Sequence, residues 1–580
     1  MRDALATLLG QKLPAPLESA LERLLLLDRL NRLCEDAQRL PDGRPFVERC
    51  LQLLNVSTKV SEQDLALVPR DGPVVAVANH PFGLIEGAVL AAMLRSVRPD
   101  VKILANHLLA AIPEARDYCI FVDPFQSERA VRTNSLGLKE SVGWLKQGGL
   151  LGVFPAGEVA HLNFKELAVT DPEWSHSIAR LIRLTGATVL PVYFVGANGP
   201  LFQLLGFLHP RMRTAMLTHE FLNKTDQAIE LRIGSPIGPA KLRPYQDDVA
   251  LTRYFRHRTY LLQSRGAESK QHRRIADPPA ASVLNELLAS EVVKLPPERT
   301  LVETEESLVL LARAEEIPNV LHEIGRLREI SFRRCGEGTG KPVDLDAFDD
   351  YYWHLFAWNR RAREVVGAYR LGPSEEILAH AGPDGFYTKK LFDWKPSFLG
   401  RIGPALELGR SFVRPEYQKS FAPLFLLWKG IGQFSVRHPQ YKVLFGPVSI
   451  SNDYTSTSRQ LMVKFLSAYR ASQDLMPLVR ARNPFRSRPS KLTDELIEAT
   501  VWDVDEISAL IADVEIDRKG MPILLKQYLR LGGELVAFNV DRRFSDALDG
   551  LIVVDLRKTD ARLLERYMGK EGAARYLKTC

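Results

Sequence analysis

Two short motifs contain residue types that can carry out acid–base chemistry. In the first, NHPFGLIEG, His80 follows an apolar run and Glu86 opens the next helical pattern. Pro81 and Gly83 between them favour a turn. A histidine at such a turn, with a carboxylate within about two helical turns, can act as a general base whose tautomer and basicity the carboxylate sets. On its own, the motif is more often a structural hydrogen-bonded pair.

The second motif is an E-x-x-R pattern in LELGRSFVRPEY, where Glu407 and Arg410 lie three residues apart. On a strand with a bulge, or on a helical turn, the two side chains can pair and clamp a substrate. Alone, such a pattern is usually a surface ion pair that contributes under about 1 kcal/mol. It gains weight here from its order behind three polar and aromatic segments, RLREISF, DLDAFDDYYWHLFAWN and EVVGAYRL.

The overall composition is that of a folded protein of several domains. Its 580 residues are 46% hydrophobic and 25% charged, which excludes disordered, collagen-like and coiled-coil classes. The net charge of +7 is compatible with an anionic membrane surface or an acidic partner, but it is too small for nucleic-acid binding. The five scattered cysteines lack metal-ligand spacing, so no metal site is expected. We find neither a signal peptide nor an apolar run of about 18 residues, and expect a cytoplasmic protein.

The elements that must position these motifs alternate along the chain. Short β-rich runs, PVVAVAN, VKILA, LLGVF, TVLPVYF and IELRIG, are separated by helical patterns. This predicts an α/β fold for the first half, with functional loops at the strand ends. The later runs HLFAWN, REVVGAYRL, ALELGRSFV and YKVLFGPVSI predict an α+β domain. We expect a helical N-terminal region at 1–68, a first domain at 69–265, a linker at 266–300 and a second domain at 301–580.

Four ordered blocks, NHPFGLIEG, VDPFQSERAVRTN, GVFPAGEVA and TVLPVYF, resemble the glycerol-3-phosphate and lysophospholipid acyltransferase superfamily over residues 70–240. In that family the histidine deprotonates an acceptor hydroxyl, which then attacks an acyl thioester. The resemblance implies that His80 is the base and that Glu86 orients it. It also implies substrate-binding roles for Arg129, Arg132, Gly157 and Glu158.

Two positions depart from the commonest pattern of this superfamily. The usual acid stands five residues after the histidine, where this chain has Ile85, with Glu86 one residue later. The third block usually has a glutamate where this chain has Ala156, and its acid follows the glycine as Glu158. We interpret both as marks of a subfamily, in which a lipid hydroxyl is a better supported acceptor than a phosphate-bearing lysolipid.

The second half resembles the acyl-homoserine-lactone synthase branch of the GNAT fold, and more closely the hemolysin-like ornithine N-acyltransferases, over about 305–560. An L-R-x-x-x-F segment, a D-x-x-D pair, an arginine after a hairpin and the E-x-x-R motif carry this resemblance. The matching residues are Arg328, Phe332, Asp346, Asp349, Arg370, Glu407 and Arg410. The resemblance implies that Glu407 and Arg410 are catalytic and that the others bind an amino-acid substrate, whose α-amine attacks a thioester directly.

The acyl donor follows from the same resemblance. GNAT enzymes that use acyl-CoA carry a glycine-rich turn before the helix that holds the pyrophosphate, whereas EYQKSFAPL has Ser420 and Phe421 there. This favours acyl carrier protein, the donor of the resembled branch, over acyl-CoA. The basic segment RARNPFRSRPSK or the helix after Glu407 can dock that acidic carrier, and membrane headgroups explain the basic segment equally well. No bound cofactor is expected. We interpret CGEGTGKP (335–342) as a flexible loop rather than a phosphate loop.

The domain order resembles that of the bifunctional ornithine-lipid synthases of bacteria. By that resemblance, the second half N-acylates ornithine with a 3-hydroxyacyl group, and the first half then esterifies the 3-hydroxyl of that lyso-lipid. The protein would work at the inner face of the cytoplasmic membrane as a peripheral enzyme. Two alternatives stay open at this point: a lysophospholipid acyltransferase fused to a GNAT-like domain of unknown acceptor, and a non-catalytic, membrane-binding protein of the hemolysin-like kind.

Overall fold

The structure is a computed structural model that describes residues 26–41, 43–123, 128–163, 168–200, 202–203, 216–266, 276–487, 494 and 503–579. Two compact units can be distinguished in it. The first contains the chain up to Arg265 together with the later segment 512–518. The second contains most of the chain from Gly266 onwards.

The first unit is built on a mostly parallel sheet. Its strands are β1 (Ser57–Lys59), β2 (Val74–Ala78), β3 (Val101–Asn106), β4 (Cys119–Val122), β5 (Leu150–Val153), β6 (His161–Asn163), β7 (Ala168–Thr170), β8 (Thr188–Phe194) and β9 (Ala228–Ile233). Seven of them form one sheet in the order β1-β9-β8-β2-β5-β3-β4, and β6 pairs with β7 separately. Only the β8–β9 pairing in the large sheet is antiparallel.

The central strand, β2, shows why continuous apolar runs in the sequence predicted the strands of this sheet. All five residues of β2 are buried, as expected of a strand that is covered on both faces in a parallel sheet. The apolar runs assigned to β2, β3, β5, β8 and β9 are confirmed as strands. The region 1–68 contains helices and also β1, a short exposed strand that the helical pattern did not predict. It forms because it pairs in register with β9.

The helices of the first unit precede, separate and follow these strands along the chain. They are α1 (Leu27–Arg39), α2 (Phe46–Leu53), α3 (Glu62–Leu65), α4 (Leu84–Arg95), α5 (Glu128–Lys146), α6 (Ser177–Thr185), α7 (Leu217–Leu222) and α8 (Asp248–Leu261). The longest, α5, has 19 residues and carries several charges. Among the helices of the described residues, none is both long and apolar enough to cross a membrane.

The second unit has a larger, mixed sheet. Its strands are β10 (Thr300–Glu303), β11 (Ser307–Ala312), β12 (Trp353–Asn359), β13 (Glu364–Pro373), β14 (Phe392–Trp394), β15 (Ala405–Val413), β16 (Val443–Ile450), β17 (Val479–Ala481), β18 (Glu534–Asp541) and β19 (Ala547–Asp555). Eight of them follow the order β10-β11-β12-β13-β15-β16-β19-β18, whereas β14 and β17 form a separate ribbon. Only β15 and β16 are parallel neighbours, and their pairing covers Ala405–Glu407 alone.

Ten helices are described in the later part of the chain, and one of them lies where a linker was expected. They are α9 (Asn285–Lys294), α10 (Pro318–Arg334), α11 (Ser374–Ala381), α12 (Pro396–Ile402), α13 (Ala422–Arg437), α14 (Ser456–Tyr469), α15 (Val504–Val514), α16 (Ile523–Arg530), α17 (Ala561–Met568) and α18 (Lys570–Lys578). Helix α9 lies inside the segment 266–300 that was expected to be a linker. Leu288 of this helix is 1% exposed and belongs to the core around α10, which explains its order.

A bulge in β15 shapes the neighbourhood of the E-x-x-R motif. Gly409 pairs with Arg370 and Phe412 pairs with Ala368, so β15 has one residue more than β13 between these pairs. Arg410 is at this point and adopts a left-handed backbone with φ 48°. On a regular strand, Glu407 and Arg410 would lie on opposite faces of the sheet because they are three residues apart. A bulge bends the strand and redirects its side chains, so this rule does not apply here.

Buried ion pairs tie the segment 512–518 into the first unit. Nη2 of Arg258 lies 2.9 Å from Oδ2 of Asp513, and the two side chains are 1% and 0% exposed. Arg265 pairs with Asp64 at 2.6 Å and donates to the carbonyl of Asp513. The first unit is therefore completed by residues that lie far along the sequence.

Candidate active sites

The turn after β2 places His80 at the carboxyl end of the parallel sheet. The side chain of Asn79 accepts from the N–H of Phe194 at 2.7 Å and donates to its carbonyl at 3.0 Å. This clamp joins the end of β2 to β8. The carboxyl ends of parallel strands are where open α/β sheets usually carry their sites.

The predicted pair of His80 and Glu86 is brought together. Nδ1 of His80 lies 2.9 Å from Oε2 of Glu86, which is fully buried. The glutamate also accepts from the backbone N–H groups of Phe82 and Gly83 at the start of α4. With its carboxylate fixed in this way, Glu86 holds the imidazole in the tautomer that leaves Nε2 able to accept a proton.

The backbone of His80 is held from two sides. Its N–H donates to Oδ1 of Asp171 at 3.0 Å, and its carbonyl accepts from the N–H of Ala160 at 2.7 Å. The imidazole stacks on Phe154, with ring centroids 4.6 Å apart. Sequence reasoning missed Asp171 because it stands alone, 91 residues from His80.

The charges around His80 favour its protonated form. Burial lowers the pKa of His80, but the charge and hydrogen bond of Glu86 and the charge of Asp171 raise it more, so the net shift is upward. Burial raises the pKa of Asp171. The hydrogen bonds from Trp174 and from the His80 N–H, and the charges of His80 and Arg256, lower this pKa by less, so the net shift is upward. A base whose proton affinity is raised takes a proton from a hydroxyl more readily.

The other residues predicted for this site differ in how far they can be placed. Gly157 forms an exposed turn after β5 with φ 67°, and its N–H donates to the carbonyl of Phe154. Glu158 is exposed beside it. Arg129 and Arg132 fall near the start of α5, but their side chains lie outside the described residues.

The second candidate site is a buried network of alternating charges in the second unit. Nη1 of Arg328 lies 2.9 Å from Oδ1 of Asp349, and Nη1 of Arg370 lies 2.5 Å from Oδ1 of Asp346 and 3.3 Å from Oδ1 of Asp349. Arg328 and Arg370 are fully buried. Burial raises the pKa of Asp349, but the two arginines and His354 outweigh it, so the net pKa is lowered.

Arg410 extends this network towards its open end. It lies 3.4 Å from Asp344 and 3.6 Å from Asp346, measured between guanidinium nitrogens and carboxylate oxygens. The side chains of Asp346 and Arg410 are 26% and 12% exposed, whereas Arg370 is 1% exposed. Asp344 was not predicted, although it stands only two residues before Asp346.

Glu407 has different partners from Arg410. It accepts from the hydroxyl of Tyr352 and from the backbone N–H groups of Tyr387 and Thr388, the latter at 2.8 Å. Arg410 instead lies over the ring of Tyr387 at 5.0 Å. Both residues of the motif therefore contact Tyr387. The sequence allowed a direct ion pair between Glu407 and Arg410, but Arg410 pairs with aspartates instead. Burial raises the pKa of Glu407.

Phe332 takes part in the same site through a second aromatic ring. It packs edge to face against Phe544, with ring centroids 5.1 Å apart. Phe544 in turn lies 5.0 Å below the guanidinium of Arg410. Contacts therefore link Phe332 and the six charged residues that were predicted for this site. Four residues outside the motifs provide these links: Asp344, Tyr352, Tyr387 and Phe544.

The loop 335–342 is anchored, which corrects the expectation of a flexible loop. Glu329 accepts from the N–H and hydroxyl of Thr339 and from the N–H of Gly340. Glu337 of this loop is buried and accepts from the hydroxyl of Ser449 at 3.0 Å. Burial raises the pKa of Glu337 to about 7, although Ser449 and Arg410 lower it. A buried carboxyl that no motif predicted therefore interacts electrostatically with Arg410.

Comparisons with known proteins place the two sites in two families. Residues 59–195 match the family described as acyltransferase, and residues 327–428 match the acetyltransferase (GNAT) domain. A glycine N(alpha)-acyltransferase from Bacteroides thetaiotaomicron is 32% identical over 300 residues, covering 48% of this chain and 87% of that protein. The chain belongs to this N(alpha)-acyltransferase family.

Two further relatives support a fused N(alpha)-acyltransferase. An L-ornithine N(alpha)-acyltransferase from Rhodobacter capsulatus is 29% identical, covering 42% of this chain and 88% of that protein. A lyso-glycine lipid O-acyltransferase from Bacteroides thetaiotaomicron is 24% identical, covering 39% of this chain and 82% of that protein. The protein is an acyl-transferring enzyme in which an acyltransferase domain precedes a GNAT domain. The non-catalytic alternative is therefore wrong.

Proposed function

We propose that the protein makes a phosphorus-free aminolipid by two consecutive acyl transfers. The second unit joins a 3-hydroxyacyl group to the α-amine of an amino acid, and the first unit esterifies the 3-hydroxyl of that product. The observation that carries this proposal is that each family match contains its own charged cluster: His80 and Glu86 within 59–195, and the network ending at Arg410 within 327–428. An amine and a hydroxyl need different sites, and the chain has two.

In the ester-forming unit, His80 is the base. Nε2 takes the proton of the lipid hydroxyl as its oxygen attacks the thioester carbonyl, and Glu86 stabilises the imidazolium that forms. The same proton is then available to the departing thiolate. The raised pKa of His80 matches this demand, because an alkyl hydroxyl is a very weak acid. Gly157, Glu158, Arg129 and Arg132 are proposed to bind the acceptor or the phosphopantetheine phosphate of the donor.

In the amide-forming unit, the partly exposed end of the charge network receives the amino acid. Arg410 can bind the α-carboxylate as a two-pronged donor, and Asp346 can hold the ammonium before it loses its proton. The buried members Arg328, Asp349 and Arg370 keep these two in place. We assign proton removal to Glu407, because burial raises its pKa and its carboxylate is already ordered by Tyr352. The free amine then attacks the thioester, and the thiol leaves.

The donor and the working surface are part of the same proposal. We propose acyl carrier protein as the donor of the 3-hydroxyacyl group, since Ser420 and Phe421 replace the glycines of a CoA-binding turn at the start of α13. The product is a lipid, so we place the enzyme peripherally at the inner face of the cytoplasmic membrane. The positive net charge fits both an acidic carrier and an anionic bilayer.

Two amino acids are candidates for the acceptor. Ornithine is supported by the resemblance of the second half to ornithine N-acyltransferases and by the L-ornithine N(alpha)-acyltransferase relative. Two buried carboxyls that interact electrostatically with Arg410, Glu337 and Asp549, are candidates for binding its second ammonium group. Glycine is favoured by the relatives, because a glycine N(alpha)-acyltransferase and a lyso-glycine lipid O-acyltransferase of one organism both resemble this chain. A purified-protein competition with labelled ornithine and labelled glycine, read by mass spectrometry of the N-acylated product, separates the two.

The division of labour is tested in a bacterium that lacks aminolipids. Expression of the unchanged chain should yield a diacylated aminolipid, His80→Ala should accumulate only the lyso-lipid, and Arg410→Ala should yield neither. Feeding synthetic lyso-lipid should restore the final product in Arg410→Ala. His176→Ala and Arg401→Ala, which change a histidine and an arginine outside both clusters, serve as controls. Loss of the lyso-lipid in His80→Ala would contradict the assignment, and a changed phospholipid acyl profile without aminolipid would favour a lysophospholipid acyltransferase.

A further inference from the structure

Asp171 lies against His80 although it belongs to none of the motifs. It follows β7 and is 3% exposed. Its Oδ1 accepts the backbone N–H of His80 at 3.0 Å. A charge-assisted bond from a main-chain N–H to a buried carboxylate is stronger than a neutral one, so this contact fixes where the chain leaves β2.

Asp171 is itself held by three further hydrogen bonds. Its Oδ2 accepts from the indole N–H of Trp174 at 2.9 Å, and Trp174 is 2% exposed. Its backbone N–H donates to the hydroxyl of Tyr260 at 2.8 Å, and its carbonyl accepts from Arg256 at 3.2 Å. Both residues belong to α8, so this helix holds Asp171 at the site of His80.

We propose that Asp171 is a second positioning carboxylate for His80, which anchors the main chain of the histidine while Glu86 orients its ring. This proposal rests on the proposed role of His80 as the base of ester formation. The backbone N–H is bound by Asp171, the carbonyl by Ala160 and Nδ1 by Glu86. Only Nε2 is left to face the substrate. Asp171 acts through His80, so it is a positioning residue and not a catalytic one.

The charge of Asp171 also bears on the pH dependence of the reaction. The groups around this site are Glu86 on α4, Asp171 after β7, Arg256 and Tyr260 on α8, and Lys224, which follows α7 and interacts with Glu86. Burial lowers the pKa of His80, and Glu86 followed by Asp171 raises it above its ordinary value. The neutral imidazole is the active base, so activity rises as pH passes upward through this pKa. Removal of the charge at position 171 should move that rise to lower pH.

Asp171→Asn tests this in the purified full-length chain. The assay follows ester formation from N-(3-hydroxypalmitoyl)glycine or its ornithine counterpart and a palmitoyl thioester across pH. An amide has one acceptor oxygen for two donors, so the anchor is weakened and the charge is lost. We expect kcat to fall about tenfold or more with KM little changed, and the acidic limb of kcat/KM to move to lower pH. An acidic limb that stays in place would overturn the proposal.

The matched control is Asp64→Asn. Asp64 is an equally buried carboxylate of the first unit, which accepts from the N–H of Ile233 and pairs with Arg265. Its replacement should lower the thermal stability without moving the acidic limb. If Asp171→Asn moved the limb no more than Asp64→Asn does, the role of Asp171 would be structural only.

Two further measurements cover the remaining outcomes. If Asp171→Asn does not fold, ¹⁵N-histidine labelling of the unchanged chain is used: the His80 amide proton should shift as the Asp171 carboxyl titrates, and an unresponsive amide would overturn the proposal. His80→Ala distinguishes a failure of the proposed function from a failure of the positioning role of Asp171. If it retains ester formation, the proposed function fails; if it loses ester formation while Asp171→Asn behaves as the unchanged chain, the positioning role alone fails.

Discussion

At the scale of single residues, the two sites solve the problem of a buried charge differently. Around His80, Glu86 contacts the imidazole and Asp171 binds the backbone N–H, and each carboxylate accepts from N–H donors. Around Arg410, arginines and aspartates alternate, so each charge has an opposite neighbour. In the second network most members are sealed from solvent and hold others in place. Residue type in a motif therefore does not separate the groups that touch substrate from those that support them.

Glu86→Gln is the residue-scale test of the His80 pair. The amide keeps the size of the side chain but loses the charge that raises the pKa of His80 and stabilises the imidazolium. We expect ester formation to fall by about 10²- to 10⁴-fold, with the acidic limb of its pH profile moved to lower pH. The measurement is kcat/KM against pH for ester formation, with amide formation by the same chain as the internal reference.

Glu140→Gln is the matched control for this prediction, because Glu140 is a glutamate of the first unit that is 52% exposed and pairs with Lys102. It should leave the pH profile of ester formation in place. A Glu86→Gln protein with less than about a tenfold loss would mean that Glu86 only caps α4.

At the scale of elements, both sites depend on a backbone conformation that ordinary side chains rarely adopt. Gly83 precedes α4 with φ 107°, and this turn brings the N–H groups of Phe82 and Gly83 onto Glu86. Arg410 has φ 48° at the bulge of β15. Glycine adopts a positive φ without penalty, whereas an arginine in that region is strained, and strained residues cluster at functional sites. The turn at Gly83 places N–H groups on Glu86, and the bulge at Arg410 redirects its side chain.

Gly83→Ala tests the turn. A Cβ there would lie 2.7 Å from Cδ2 of Leu217 in addition to the unfavourable φ. We expect a loss of about 1–3 kcal/mol in stability and a larger loss of ester formation, because the N–H groups that hold Glu86 move with the turn. Thermal unfolding and the ester assay measure the two effects.

Gly186→Ala is the control for the turn, since Gly186 also has a positive φ, 64°, but open space around the new Cβ. It should cost about 1–2 kcal/mol from backbone strain alone and leave ester formation intact below the unfolding temperature. Equal losses of activity in the two variants would show that the geometry of the Gly83 turn has no special role.

At the scale of the whole molecule, sequence order and spatial units do not coincide. The first unit ends at Arg265 in the sequence but is completed by 512–518, whose Asp513 neutralises Arg258 in the interior. The two family matches lie one after the other along the chain, whereas the first structural unit also includes residues 512–518.

Asp513→Asn tests this dependence in the full-length chain. It leaves Arg258 buried without its carboxylate, and breaking a buried ion pair costs about 3–5 kcal/mol. We expect ester formation to be lost at a lower temperature than amide formation, which is measured by assaying both products after heating. Asp505→Asn is the control, because Asp505 is 69% exposed and its pair with Arg530 is a surface contact. If the two activities were lost together in Asp513→Asn, the effect would not be confined to the first unit.

The sequence by itself determined the fold class and the central strands of both sheets, because buried strands need continuous apolar runs. Resemblance to two families supplied eight charged or titratable residues of the two clusters: His80, Glu86, Arg328, Asp346, Asp349, Arg370, Glu407 and Arg410. Tertiary structure alone decided that Asp171 and Glu337 join these sites, that β1 and α9 are ordered, and that Arg410 pairs with aspartates rather than with Glu407. These depend on contacts between residues distant along the chain and on a bulge whose register only the neighbouring strand sets, and neither leaves a local pattern in the sequence.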